Sequence, residues 1–256
     1  MVGHPPCMVE LHDDKHYVNQ MLRDSGKFTL PRGWLLEDDS SDLDTRLKSL
    51  DLRFPTVGKP VRGRGSHGVK VCHDLSELHS HVQSLFKESS AIILEDYLAG
   101  EEATITVMPP SDADPSHRAL PIVTRFNHAN GVAPYNGIVP VTANSTAITA
   151  QQYVKDPTYQ AIASECEQVA KLMGLTAIMR IDVRRFTDEP GSKFALFDVN
   201  MKPNMTGPGR PGRDDQASLS AIAAEEAGWE YSRLLREMLG SAQTLRVLRE
   251  MRPDNV

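Results

Sequence analysis

The sequence predicts an α+β protein, and three observations predict it. Apolar residues at helical spacing are interleaved with short β-rich runs, without a strict strand–helix–strand repeat. A glycine-rich segment lies between two runs that read as strands. Two further strands with period-two alternation flank a Pro-Gly turn.

The elements follow in chain order. Leu75, Leu78, Val82, Leu85 and Phe86 recur at helical spacing, and Asp74 with Glu77 has the form of a capping box. Short strands fit Ala91–Glu95, Ala103–Met108 and Leu120–Phe126. Pro109 to Asp112 reads as a surface loop. A helix from about Asp156 to Met173 carries the stripe Tyr159, Ile162, Cys166, Val169 and Met173. Both stripes read as core. Strands fit Met179–Arg184 and Phe194–Asn200, and the tail from Gln216 to Met251 reads as helices broken near Gly228 and Gly240. A smaller lobe is expected over residues 1–96 and a larger one over 97–256.

Composition narrows the classes. A hydrophobic fraction of 40% supports a buried core, and no apolar run reaches the length of a membrane span. A net charge of −6 argues against bulk attraction to nucleic acid. Cys7, Cys72 and Cys166 form no CxxC, and the first residues lack the basic-then-apolar order of a signal peptide. A reduced, cytoplasmic chain is the expectation. The sequons at Asn144 and Asn204 are then chance matches.

Gly63 to Gly68 fits G-x-G-x-x-G, but Val69-Lys70-Val71 follows where a dinucleotide fingerprint needs a helix. The context is strand–loop–strand, a flap suited to phosphates. Its glycines let backbone N–H groups approach phosphate oxygens, and Ser66 can add a hydroxyl. Lys59, just before the loop, offers a point charge. A flexible hairpin with solvated charges fits the same residues. No G-x-x-x-x-G-K-[ST] is present, so a P-loop is excluded, and the lack of H-R-D and D-F-G argues against a protein kinase.

In Arg180-Ile181-Asp182-Val183, Arg180 and Asp182 share one face of a strand; in Phe197-Asp198-Val199-Asn200, Asp198 and Asn200 do, with Phe197 and Val199 behind. A hairpin centred on Pro190 sets Asp182 opposite Asp198 and Arg180 opposite Asn200. Two opposed carboxylates with an amide oxygen beside them are an Mg²⁺-type donor set, with Mn²⁺ as the alternative ion. The alternative is that the two aspartates pair with Arg180, Arg184 or Arg185, or point to solvent. The Pro/Gly-rich loop that follows carries Lys202, Arg210 and Arg213, positive charge for a substrate carboxylate or phosphate.

The motif order now resembles a known family. Asp14-Lys15 opens a helix; then come Val57-Gly58-Lys59-Pro60, the glycine loop, Glu95-Asp96-Tyr97-Leu98 through Glu102, Arg180-Ile181-Asp182, and Asp198-Val199-Asn200-Met201-Lys202-Pro203. This is similar to the ATP-grasp superfamily, most of all its D-alanine–D-alanine ligase branch, over roughly residues 13 to 240. The resemblance implies two α+β lobes closing on ATP, and an ATP-dependent ligase joining a small-molecule carboxylate to an amine through an acyl-phosphate. It implies that Lys15 and Lys59 contact ATP and that Gly65, Ser66 and Gly68 form the lid. Glu95 and Leu98 would line the adenine hinge, and Glu102 would hold the ribose hydroxyls. Asp182, Asp198 and Asn200 would carry the metal, and Arg180 would steady the acyl-phosphate. An ATP-binding remnant and a small-molecule kinase are the alternatives on the same scaffold.

There are departures. Asp198 stands where a glutamate is usual, and Asn204 where a glycine is. The tyrosine- and lysine-bearing loop of the branch has no match in Asn127 to Asn136, which points to a substrate other than D-alanine. The branch also carries an α/β domain ahead of the Asp-Lys helix. Its absence from this sequence implies a remnant, a fragment, or a chain completed by a partner, with a homodimer implied by resemblance only.

Overall fold

The computed structural model describes residues 1–38, 42–63, 65–111, 114–133, 139–209, 211–212 and 215–251. Its helices are α1 (Pro6–His12), α2 (Lys15–Asp24), α3 (Leu43–Ser49), α4 (Leu75–Leu85), α5 (Ala150–Lys155), α6 (Pro157–Leu172), α7 (Leu219–Glu226), α8 (Tyr231–Gly240) and α9 (Leu245–Glu250). Its strands are β1 (Gly33–Glu37), β2 (Thr56–Pro60), β3 (Lys70–Cys72), β4 (Ala91–Asp96), β5 (Glu102–Met108), β6 (Arg118–Ala119), β7 (Val123–Arg125), β8 (Ser145–Ala147), β9 (Met179–Arg185) and β10 (Phe194–Asn200).

They form two sheets. The smaller has the order β1-β4-β2-β3; the larger runs β10-β9-β5-β7-β8, with β6 beside β5. In the small sheet α4 lays Leu78, Val82 and Leu85 against Cys72, Ile92 and Leu94. Asp74 caps α4 by accepting from the Glu77 amide. The return contact of a capping box is displaced by one residue, because the Glu77 carboxylate accepts from the His73 amide at 2.9 Å.

The large sheet has two unlike faces. Ala103, Ile105, Val107, Met179, Ile181 and Val183 point to a core filled by Ile162, Cys166 and Val169 of α6. Val18 and Leu22 of α2 join the same core. The expected lobe over residues 1–96 is amended accordingly: the small sheet ends at Asp96, but α2 packs with the large one. The apolar stripe of α2 finds its complement there, and its cap is Asp14, which accepts from the Tyr17 amide.

Expected Leu120–Phe126 is strand only over Val123–Arg125; Leu120 instead donates from its amide to Thr106 outside the ladder, and Pro121 has no N–H to give. The tail helices break as expected, with Gly228 in a left-handed turn at φ +72°.

Candidate functional site

A cleft opens between the sheets, walled by Val57, Lys59 and Val71 on one side and by Glu102, Arg184 and Phe197 on the other. Leu98, on the connection between the sheets, closes its back.

The polar face of the large sheet supplies the site in three rungs. Glu102 of β5 lies between Arg125 of β7 and Arg184 of β9. Thr104 lies beside Asp182, and Asp182 beside Asp198. Thr106 lies beside Arg180, and Arg180 beside Asn200. Period two alone lines these groups up.

The β9–β10 pairing is the expected one at Asp182–Asp198 and Arg180–Asn200, reached by a different route. Near the turn the register is one residue off, with Leu196 opposite Val183, and a bulge between Leu196 and Asp198 restores it. The bulge corrects one expectation. Phe197 is not behind the strand but lines the cleft, because a bulge lets two successive residues turn toward one side.

Asp182 is buried, and Arg180 grips it with two bonds of 3.0 Å. Thr104 Oγ1 donates to it at 2.6 Å and Asn200 Nδ2 at 3.0 Å. Burial alone would raise its pKa; the Arg180 charge and these donors outweigh that and hold it below the usual carboxylate value. Asp198 is paired with Lys15 at 2.7 Å. Burial of Lys15 opposes its charge, and the adjacent Asp198 reverses this, holding its pKa above the ordinary value. The pairing of Asp182 with an arginine, left open by the sequence, is thus realised with Arg180, while Arg184 and Arg185 serve elsewhere. Lys15, expected at ATP, reaches the carboxylate pair.

Among the described residues no cluster of three or more His, Cys, Asp or Glu side chains gathers for a metal. Asp182 and Asp198 lie opposite each other with Asn200 beside them, but Asp182 accepts from Arg180, Thr104 and the Asn200 amide nitrogen, and Asp198 is paired with Lys15. A hard divalent ion would suit these carboxylate and amide oxygens only with Lys15 moved off Asp198 and the Asn200 amide turned to present its oxygen.

At the other end Lys59 and Glu95 form a buried ion pair at 2.6 Å. Lys59 Nζ also donates to the Phe197 carbonyl at 2.9 Å, and Asn19 Nδ2 donates to Glu95 at 2.8 Å. Leu98 is buried beside them.

The glycine segment joins β2 to β3, as the strand–loop–strand reading expects. Gly65 and Gly68 hold φ of +63° and +71°, where a side chain is strained, and a Cβ on Gly68 would also press on Leu85 at 3.0 Å. Ser66 Oγ donates to the Ala133 carbonyl at 2.9 Å, linking this loop to the large lobe. Lys202 is half exposed and 3.6 Å from Asp13, so it joins neither end of the cleft directly. Arg210 and Arg213 lie outside the described residues.

The contacts missed at the sequence level are Arg125, His128 and Arg184 around Glu102, Thr104 on Asp182, and Asn19 on Glu95. Alternation within β5 would have placed Glu102 and Thr104 together; nothing local points to Asn19.

The family model described as the D-ala D-ala ligase C-terminus matches residues 34–240. The chain belongs to this family. Among its relatives, the D-alanine–D-alanine ligase A of Bacillus cereus is 27% identical over 236 residues, which is 91% of this chain and 68% of that protein. A D-alanine–D-alanine ligase of Aquifex aeolicus is 26% identical, over 72% of this chain and 55% of that one. The solved D-alanine–D-alanine ligase of Bacillus anthracis superposes with a TM-score of 0.71 at 25% identity, over 97% of this chain and 72% of that chain. The VanG D-Ala:D-Ser ligase of Enterococcus faecalis shares the fold, with a TM-score of 0.69 at 16% identity, over 94% of this chain and 64% of that chain.

Membership brings the ATP-grasp fold and the ATP-dependent joining of a carboxylate to an amine. No helix among the described residues is long and apolar enough to cross a membrane.

Proposed function

We propose that this ATP-grasp chain activates a small-molecule, amino-acid-type carboxylate at the γ-phosphate of ATP and passes the acyl group to an amine. The observation that carries this is Asp182 opposed to Asp198 with Asn200 beside them, on the same sheet face as Glu102 and Arg184 of the cleft between the sheets.

In this reading the base enters between Val57, Val71 and Leu98. Lys59 and Glu95 form its polar edge, and Glu102 receives the ribose hydroxyls. Gly65, Ser66 and Gly68 cover the phosphates with backbone donors and exclude water that would hydrolyse an acyl-phosphate. Asp182, Asp198 and Asn200 would hold Mg²⁺, or Mn²⁺ in its place, which supplies charge neutralisation at the transferring phosphoryl group. Lys15, released from Asp198, is within reach of the same phosphates. Arg180 faces the charge that develops on the acyl carbon's oxygens, a role worth about 3 kcal/mol in comparable sites. Lys202 would reach the substrate side only by leaving Asp13. The departures at Asp198 and Asn204 and in the loop from Asn127 favour a pair of substrates other than two D-alanines.

Calorimetry of ATP binding, with and without Mg²⁺, tests the site, and ADP release across pairs of amino acids tests the reaction. Binding strengthened by Mg²⁺ and ADP release that requires both carboxylate and amine are expected. A stable phosphorylated product without an amine would replace the ligase by a kinase, and a folded chain that binds no ATP would refute the site.

A further inference from the structure

Glu102 has more partners than its charge requires. Arg125 Nη1 donates to Oε1 at 3.2 Å, and Arg184 Nη1 lies 3.6 Å from Oε2. Two guanidinium groups already exceed one carboxylate in charge. Yet His128 Nε2 stands 2.8 Å from Oε2, mostly buried. A third partner adds direction rather than neutralisation, and with Nε2 carrying the proton the imidazole donates without being charged.

The geometry of the loop holds His128 there. Asn127, Asn130 and Gly131 all take left-handed φ, and Ala129 and Val132 exchange backbone hydrogen bonds of 2.9 and 3.1 Å. The Gly131 carbonyl accepts from Arg184 Nη1 at 2.7 Å. The loop is therefore built as a turn, and it sets Gly131 and Val132 into the cleft wall. With Oε1 held by Arg125 and Oε2 by His128, the carboxylate cannot swing about its last bond. Arg184 lies on a further side of Oε2, and Glu102 so held is part of the cleft lining.

We infer that His128 is a positioning residue that aims Glu102 at the 2′- and 3′-hydroxyls of the bound nucleotide, setting the preference for ribose over deoxyribose without touching the nucleotide. This rests on the assignment of Glu102 to the ribose in the proposed function. Two hydroxyls donating to a carboxylate of fixed orientation are read as a pair, and a carboxylate free to turn reads them poorly.

The test is calorimetry on the full chain with Mg²⁺ and either ATP or 2′-deoxy-ATP. Wild type is expected to bind ATP about tenfold or more tightly than 2′-deoxy-ATP. His128→Ala is expected to shrink that ratio to about threefold or less, through weaker ATP binding alone, and His128→Gln, which keeps a donor, to restore it. Retained 2′-deoxy-ATP binding shows that the variant is folded. An unchanged ratio in His128→Ala, or an equal loss for both nucleotides, overturns the inference. Should His128→Ala bind neither nucleotide, His128→Phe decides: a collapsed ratio supports the inference and a wild-type ratio overturns it. Equal binding of the two nucleotides by wild type removes the ribose role of Glu102 and this inference with it, leaving the ligase reading intact. Failure of folded wild type to bind either nucleotide refutes the whole site.

Discussion

The two ends of the cleft use ion pairs of different kinds. At one end Lys59 and Glu95 are both almost fully buried, 2.6 Å apart, and each has a further fixed partner in Phe197 or Asn19. At the other, Lys15 and Asp198 are equally close but each is about one-fifth exposed. The buried pair is part of the architecture: removing one member strands the other charge without water. The second pair is mostly buried too, but it has a face to water that the first lacks, so its members are held less strictly. A site that must accept a metal and phosphates needs its cation to move, and one that recognises a base gains from a donor and acceptor that do not.

That contrast can be broken first at Asp198. Asp198→Ala is expected to lower Mg²⁺-dependent ADP release by about 100-fold or more, with a smaller loss of stability than Lys59→Ala causes. Unchanged turnover would remove Asp198 from the metal set; a large loss of stability would mean that its pairing with Lys15 is architectural.

Lys59→Ala is the complementary change. It leaves Glu95 buried beside Asn19 alone, so a stability loss of about 3–5 kcal/mol by urea unfolding should accompany weaker ATP binding. His67→Ala is the control. That side chain lies on the lid, three-quarters exposed against Glu88, and its loss should leave both ATP affinity and stability within about 0.5 kcal/mol. Equal effects of the two substitutions would end the distinction between the base end and the lid surface.

A smaller effect separates loss of binding from unfolding in acid. His4 is buried, and its removal from water is the main reason that its pKa falls to about 4 from 6.5; the hydrogen bond to the Ile178 carbonyl only partly opposes this. The folded chain holds this ring neutral, so the unfolded chain binds the extra proton. The stability is complete above pH 6.5 and is lost as pH falls from there toward 4, by on the order of 3 kcal/mol. Melting of wild type and His4→Gln across that window should show a shallower slope in the variant, where His12, also held neutral by burial, still contributes. The same slope in both would place the acid sensitivity elsewhere.

Much of this was legible in the chain itself. The alternation in Met179–Arg184 and Phe194–Asn200 put Arg180, Asp182, Asp198 and Asn200 on one face, and the Pro190-Gly191 turn made them neighbours. The turn is local, so its geometry is written in a few adjacent residues. The bulge at Phe197 was not legible, since nothing in Ala195-Leu196-Phe197-Asp198 distinguishes a bulged strand from a regular one. Neither was β1, whose Trp34 and Leu36 are held by packing with α4 and β4 rather than by a pattern of their own.

The sequence by itself determined the α+β class, the strand–glycine loop–strand segment, and the face shared by the two aspartates. These depend on period, turn chemistry and backbone freedom, which act over a few residues. Only the tertiary structure decided which side chain meets which carboxylate: Lys15 with Asp198 across 183 residues, Asn19 with Glu95 across 76, and His128 with Glu102 across 26. Those pairings depend on sheet register and on burial, and both are set by the packing of the whole chain rather than by any segment of it.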